Sequence, residues 1–126
     1  MHNKIQVGII GAGGWGLALA KLLAQRHMVT VWVYEEEELQ ALGSARESKT
    51  FLPGITFDPD IRFTSSYKEA SAKKDVVVLV TPSFAYRASA SAIAPYLAQG
   101  TVVVSATKGL ETGTMRRMSE LAAEEL

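Results

Sequence analysis

Val7-Gly8-Ile9-Ile10-Gly11-Ala12-Gly13-Gly14-Trp15-Gly16 is an apolar, β-branched run that breaks on glycine and leads into a helical stretch. Residues 4–10 read as a strand with Ile5, Val7, Ile9 and Ile10 as its apolar members. Residues 15–26 read as a helix, with Leu19, Leu22 and Leu23 on a common face and alanines for close packing. Residues 29–34 are β-branched and aromatic and read as a second strand. Further on, residues 75–81 and 101–105 are continuous apolar runs without alternation. Such a strand has to be covered on both faces, which is the mark of a parallel sheet sandwiched between helices.

The rest of the chain supplies the connections. A short helix is expected over residues 35–42, with Leu39 and Leu42 inward and Gly43 as its stop. Residues 44–60 read as irregular, with turn signals at Phe51-Leu52-Pro53-Gly54 and Asp58-Pro59. A short strand follows over 61–64, then helices over 67–72, 84–97 (closed by Gly100) and 115–126. Strand and helix alternate about five times. With right-handed crossovers, this order gives an α/β doubly wound parallel sheet with helices on both faces, a single domain over residues 1–126.

Composition narrows the function classes. The 126 residues carry 13 Lys+Arg against 13 Asp+Glu, 48% hydrophobic residues and no cysteine. One core fits that length. Without cysteine there is no disulfide framework and no thiolate chemistry. The balanced charge offers a polyanion nothing to grip, so nucleic acid is not an expected partner. The apolar runs fall far below the roughly 20 residues needed to span a bilayer. Met1-His2-Asn3-Lys4 leads straight into the first strand, too short and glycine-broken for a signal peptide. A cytoplasmic domain without a membrane partner is expected, and a homodimer is compatible with it.

Gly11, Gly13 and Gly16 make a G-x-G-x-x-G match, placed at the end of a strand and the opening of a helix. That context is what the dinucleotide-binding Rossmann fingerprint demands. Gly11 permits the tight turn, Gly13 leaves room for a pyrophosphate against the backbone, and Gly16 lets helix and strand lie close. The helix start favours phosphate charge. Glu35 stands 24 positions after Gly11 at the end of the second strand, where a carboxylate accepts from adenine-ribose hydroxyls and repels the 2′-phosphate of NADP. The acidic run Glu35-Glu36-Glu37-Glu38 equally suits a solvated helix start.

Pro82 ends the fourth strand, and Ser83 is placed to cap the next helix. On the same carboxyl edge, Ser83, Phe84 and Tyr86 would border a bound cofactor, although both aromatics also suit core or surface. Lys108, directly after the fifth strand and beside Gly109, reads either as a crevice lysine for a substrate phosphate or carbonyl oxygen, or as a surface lysine. His2 and His27 read as surface residues without supporting ligands, so no metal is expected. Arg116 and Arg117 read as part of the exposed face of the last helix. No G-x-S-x-G elbow and no G-x-x-x-x-G-K-[ST] loop is present.

Taken in order, Gly11-Ala12-Gly13-Gly14-Trp15-Gly16-Leu17-Ala18, Phe51-Leu52-Pro53-Gly54-Ile55, Val80-Thr81-Pro82-Ser83 and Ala106-Thr107-Lys108-Gly109-Leu110-Glu111 resemble the amino-terminal domain of bacterial-type glycerol-3-phosphate dehydrogenase. The family interconverts dihydroxyacetone phosphate and sn-glycerol 3-phosphate with NAD(P)H, feeding phospholipid synthesis. The resemblance implies that Gly11, Ala12, Gly13, Gly14, Trp15 and Gly16 hold the pyrophosphate. It also implies that Lys108 lies between nicotinamide and substrate. Tyr34, Glu35, Pro82 and Ser83 complete the expected cofactor contacts.

Two departures stand out. Many bacterial members place Arg or His two positions after the Trp that ends the second strand, whereas Trp32 is followed by Val33 and Tyr34. The expected cofactor is therefore NAD(H), with NADP(H) as the alternative. The family's helical carboxyl-terminal domain and its catalytic lysine have no counterpart within the 126 residues. The chain is thus expected to hold no catalytic residue and to be inactive alone. Two rivals share the fingerprint: a 3-hydroxyacid or ketopantoate-type dehydrogenase, and a free-standing dinucleotide-binding module.

Overall fold

In the computed structural model, residues 4–107 and 117–126 are described. Five strands form one parallel sheet: β1 (Gln6–Ile10), β2 (Met28–Trp32), β3 (Arg62–Thr64), β4 (Val76–Leu79) and β5 (Val102–Ser105). Their order is β3-β2-β1-β4-β5. Five α-helices alternate with them: α1 (Gly14–Leu23), α2 (Glu36–Ser44), α3 (Tyr67–Ser71), α4 (Ser83–Ile93) and α5 (Met118–Glu125). This is the doubly wound architecture expected from the alternation.

The two-residue period of the strands sorts the core into two layers. Val7, Ile9, Val29, Val31, Val33 and Val78 face one side, where Leu17 and Ala20 of α1, Leu42 of α2 and Phe57 cover them. Ile10, Trp32, Val77 and Leu79 face the other, against Ala70 of α3, Tyr86, Ala90 and Ile93 of α4, and Leu121 of α5. Gly8 shares this second face. A Cβ there would stand 1.8 Å from the carbonyl oxygen of Ala70, so the α3 backbone rests directly on β1.

The structure corrects several local expectations. In α1, Leu19 and Leu23 pack against the core as expected, but Leu22 is exposed, and the buried residues are Gly16, Leu17 and Ala20. Gly43 does not stop α2 but lies inside it. The left-handed position that ends the helix is Arg46, at φ 59°. Its guanidinium ties down the strain: it donates to the carbonyls of Asp58 and Ile61 and sits 5.0 Å over the Phe63 ring. The helix expected over 84–97 breaks after Ile93 into a 3-10 turn at Ala94–Tyr96, because Pro95 has no N–H to continue the ladder.

The largest correction concerns β5. Val102 and Val104 are exposed, so the described residues cover this strand on one face only, where Val103 packs against the second layer. An apolar run reports that both faces prefer cover, not that the described residues supply it. His27 is half-buried, its Nδ1 accepting from the Ile5 backbone N–H at 3.3 Å. Arg117 caps α5 through Glu120. His2, Met115 and Arg116 lie outside the described residues.

Glycines at 8 and 43 are expected to respond in opposite directions. Gly8→Val should lower the unfolding free energy by about 3 kcal/mol, since backbone has to move. Gly43→Ala sits in open space within a helix and should raise it by about 0.5–1 kcal/mol. Urea unfolding checks both, and a destabilised Gly43→Ala would return Gly43 to the role of helix stop.

Candidate functional site

The strand order reverses between β1 and β4, because β2 and β3 run out on one side and β4 and β5 on the other. In such sheets the crevice outside the carboxyl ends at this switch point is where ligands bind. Here the ends are stitched together by backbone hydrogen bonds. The Gly11 N–H donates to the Trp32 carbonyl at 3.2 Å, the Val80 N–H to Ile10 at 3.0 Å and the Ala106 N–H to Leu79 at 2.8 Å. Thr107 Oγ1 adds a bond of 2.8 Å to the Thr81 carbonyl.

A cleft of about 690 Å³ opens above these ends. Gly11, Ala12, Gly13, Gly14, Trp15 and Gly16 line it after β1, Tyr34 and Glu35 after β2, and Pro82, Ser83 and Phe84 after β4. The structure thus gathers in one place every described residue that the sequence singled out for cofactor contact, apart from Tyr86. Tyr86 is fully buried in the second core layer, where burial pushes its phenol above the ordinary range, opposed by the Ser105 hydroxyl. Lys108 lies outside the described residues.

The three fingerprint glycines differ in what surrounds them. Gly11 has φ +129°, and a Cβ there would stand 2.8 Å from the Val80 carbonyl oxygen. A Cβ at Gly16 would stand 2.3 Å from the Gly11 carbonyl oxygen, so α1 crosses the end of β1 in backbone contact. At Gly13, by contrast, nothing lies within 4 Å. Gly11 and Gly16 are required by the fold, whereas Gly13 leaves space that the fold does not use. The first turn of α1 carries no acidic side chain and Gly13 makes no side-chain cap, so its leading N–H groups lack those partners.

Other features of the site lay beyond the sequence reading. Ser83 does not cap α4; Pro82 occupies the N-cap position and Ser83 is the first helical residue. Trp32 and Tyr67 stack at 4.3 Å with their planes 14° apart, and both line the cleft. The Trp32 indole N–H donates to the Ser65 carbonyl at 3.1 Å, which fixes the pair. Two polar atoms lining the cleft, Glu38 Oε2 and Thr81 Oγ1, are buried with no hydrogen-bond partner among the described residues. Glu38 was hidden in a four-acid run, and its i+3 spacing from Glu35 was the one signal that set it apart. Among the described lining residues, Glu35 and Glu38 are the charged ones.

A model described as the NAD-dependent glycerol-3-phosphate dehydrogenase N-terminus matches residues 6–126. The chain belongs to this family. The glycerol-3-phosphate dehydrogenase [NAD(P)+] of Brachyspira hyodysenteriae is 43% identical over 118 residues, covering 94% of this chain and 35% of the relative. That of Geobacter sulfurreducens is 43% identical over 119 residues, with 94% and 36% covered. The chain therefore spans about a third of the length of the curated relatives it matches. The crystal structure of glycerol-3-phosphate dehydrogenase from Coxiella burnetii superposes with a TM-score of 0.90 at 30% identity, over 98% of this chain and 38% of that one. A ketopantoate reductase of Ralstonia eutropha, at TM-score 0.76 and 23% identity over 97% of this chain and 38% of that one, shares the fold.

Among the described residues no helix is long and apolar enough to cross a membrane, and no group of three metal-ligating side chains comes together.

The contrast between the glycines carries a stability expectation. Gly16→Ala should cost about 2–3 kcal/mol by overpacking α1 on β1, whereas Gly13→Ala should stay within about 1 kcal/mol of the parent. Thermal unfolding of the two variants checks this, and equal losses would mean that the turn at Gly13 is as crowded as the packing at Gly16.

Proposed function

We propose that residues 1–126 form the dinucleotide-binding domain of a glycerol-3-phosphate dehydrogenase and that the cleft takes NAD(H). The observation that carries this reading is the space at Gly13, open beside the start of a ten-residue helix. A pyrophosphate fits there: it needs backbone N–H donors, a favourable helix dipole and no side chain in its way. Thr81 Oγ1, buried without a partner, offers one further hydroxyl.

Each group of the chain then has a task. Gly13, Gly14 and Trp15 supply the phosphate cradle, and Gly11 and Gly16 hold that cradle in shape. Tyr34 and Glu35 meet the adenosine end, and Pro82 and Ser83 border the crevice from the β4 side. For Lys108, outside the described residues, the family resemblance implies a role between nicotinamide and substrate. When bound, the nicotinamide supplies the hydride for the interconversion of dihydroxyacetone phosphate and sn-glycerol 3-phosphate; the chain contributes orientation and electrostatics. The small phosphorylated substrate is the expected partner of the complete site, in a cytoplasmic setting, without nucleic acid or membrane and with room for a homodimer. The catalytic lysine of the family is assigned to a second, helical domain, so turnover by residues 1–126 alone is not expected.

Two outcomes are expected from calorimetry on the purified chain. NADH binds, and Gly13→Val abolishes the binding while the variant still unfolds cooperatively; undiminished binding by Gly13→Val would place the pyrophosphate elsewhere. NADH also binds at least about tenfold more tightly than NADPH, equivalent to about 1.4 kcal/mol. No cation among the described lining residues meets a 2′-phosphate, and carboxylates do. Equal affinities would contradict that preference.

A further inference from the structure

Glu38 is the charged group at the cleft that the fold does not account for. It is the third residue of α2, one helical turn beyond Glu35. Its neighbours Glu36 and Glu37 are exposed and already place negative charge at the helix start. Glu38 is only 9% exposed, and its Oε2 is buried without a hydrogen-bond partner among the described residues. No ion pair among the described residues neutralises it. A buried oxygen left in this condition is an acceptor without a donor, which costs free energy unless a donor reaches it from outside.

The donor that can reach it has to come through the cleft, because Glu38 lines it together with Gly14, Val33, Glu35 and Phe51. An ionised carboxylate only accepts hydrogen bonds. At the β2 end of a doubly wound sheet, the group that offers donors is the hydroxyl pair of an adenosine ribose. A ribose that carries a 2′-phosphate offers instead acceptors and negative charge. Glu35 is exposed, so water and salt screen its repulsion; Glu38, at 9% exposure, is screened far less.

We propose that Glu38, rather than Glu35, is the main determinant of cofactor choice: a buried carboxylate that accepts from an unphosphorylated ribose and rejects a 2′-phosphate. The assignment rests on the reading of the cleft as a dinucleotide site. It carries an unusual signature, since a group held ready for a ligand at the expense of the free fold affects binding and stability in opposite senses.

The test is parallel titration of the parent, Glu35→Gln and Glu38→Gln with NADH and with NADPH, together with thermal unfolding of the free proteins. Glu38→Gln should weaken NADH by about tenfold and bring the two affinities to within about threefold of each other. Glu35→Gln should shift the ratio by less than about threefold, and Glu38→Gln should melt no lower than the parent. A parent-like ratio in Glu38→Gln, an equal effect of Glu35→Gln, or a lowered melting temperature for Glu38→Gln overturns the proposal while leaving NADH binding by the parent intact. A parent that binds neither nucleotide overturns the reading of the cleft and this proposal with it.

Discussion

Backbone-to-backbone contact around β1 is the constraint on which the rest of the molecule depends. At Gly8 the α3 backbone lies against one face of the strand, at Gly16 α1 crosses its end, and at Gly11 the chain passes against the carbonyl of Val80. Any side chain at these positions would push a layer outward by more than the packing of a close-packed interior tolerates. Because β1 is the central strand, that displacement would spread to both neighbours, β2 and β4. The shape of the crevice above the sheet is thus inherited from how closely helices approach a single strand.

That approach also separates glycines that the fold requires from one that it does not. The same short turn holds Gly11 and Gly16, where an added Cβ would strike backbone, and Gly13, where it would meet nothing within 4 Å. Surplus space at a helix start, with N–H donors facing it, is a poor way to stabilise a fold and a good way to receive an anion. The unpartnered oxygens of Glu38 and Thr81 have the same character: each is unfavourable in the free chain and useful when a ligand supplies the missing half of a hydrogen bond. Strain at Arg46, by contrast, is met within the fold by the Asp58 and Ile61 carbonyls and needs no ligand.

Much of this was legible in the sequence, for identifiable reasons. The fingerprint and the buried run at β4 are local patterns whose meaning survives without tertiary context, so the sheet, its parallel sense and the site at its carboxyl edge could be read directly. The errors arose where local pattern and tertiary context part. Gly43 looks like a helix stop but sits inside α2, because Arg46 takes the left-handed turn with tertiary support that no short window shows. Val102 and Val104 read as doubly covered because apolarity records a preference for burial and not its fulfilment. The burial of Glu38 was hard to read, since a run of four acids suggests solvent and only its i+3 spacing from Glu35 hints otherwise.

On the proposed reading, a dinucleotide lies along the carboxyl edge at the β1–β4 switch point. Backbone amide shifts on titration of the isotope-labelled chain with NADH test it most directly. The largest changes are expected at Gly13, Gly14 and Trp15, extending to Glu35 and Glu38 on one side and Thr81 and Ser83 on the other, with Asp75, Gln99 and Gly100 at the opposite edge of the sheet unmoved. Changes concentrated at that opposite edge, or none along the Gly11–Gly16 turn at saturating NADH, would contradict the account.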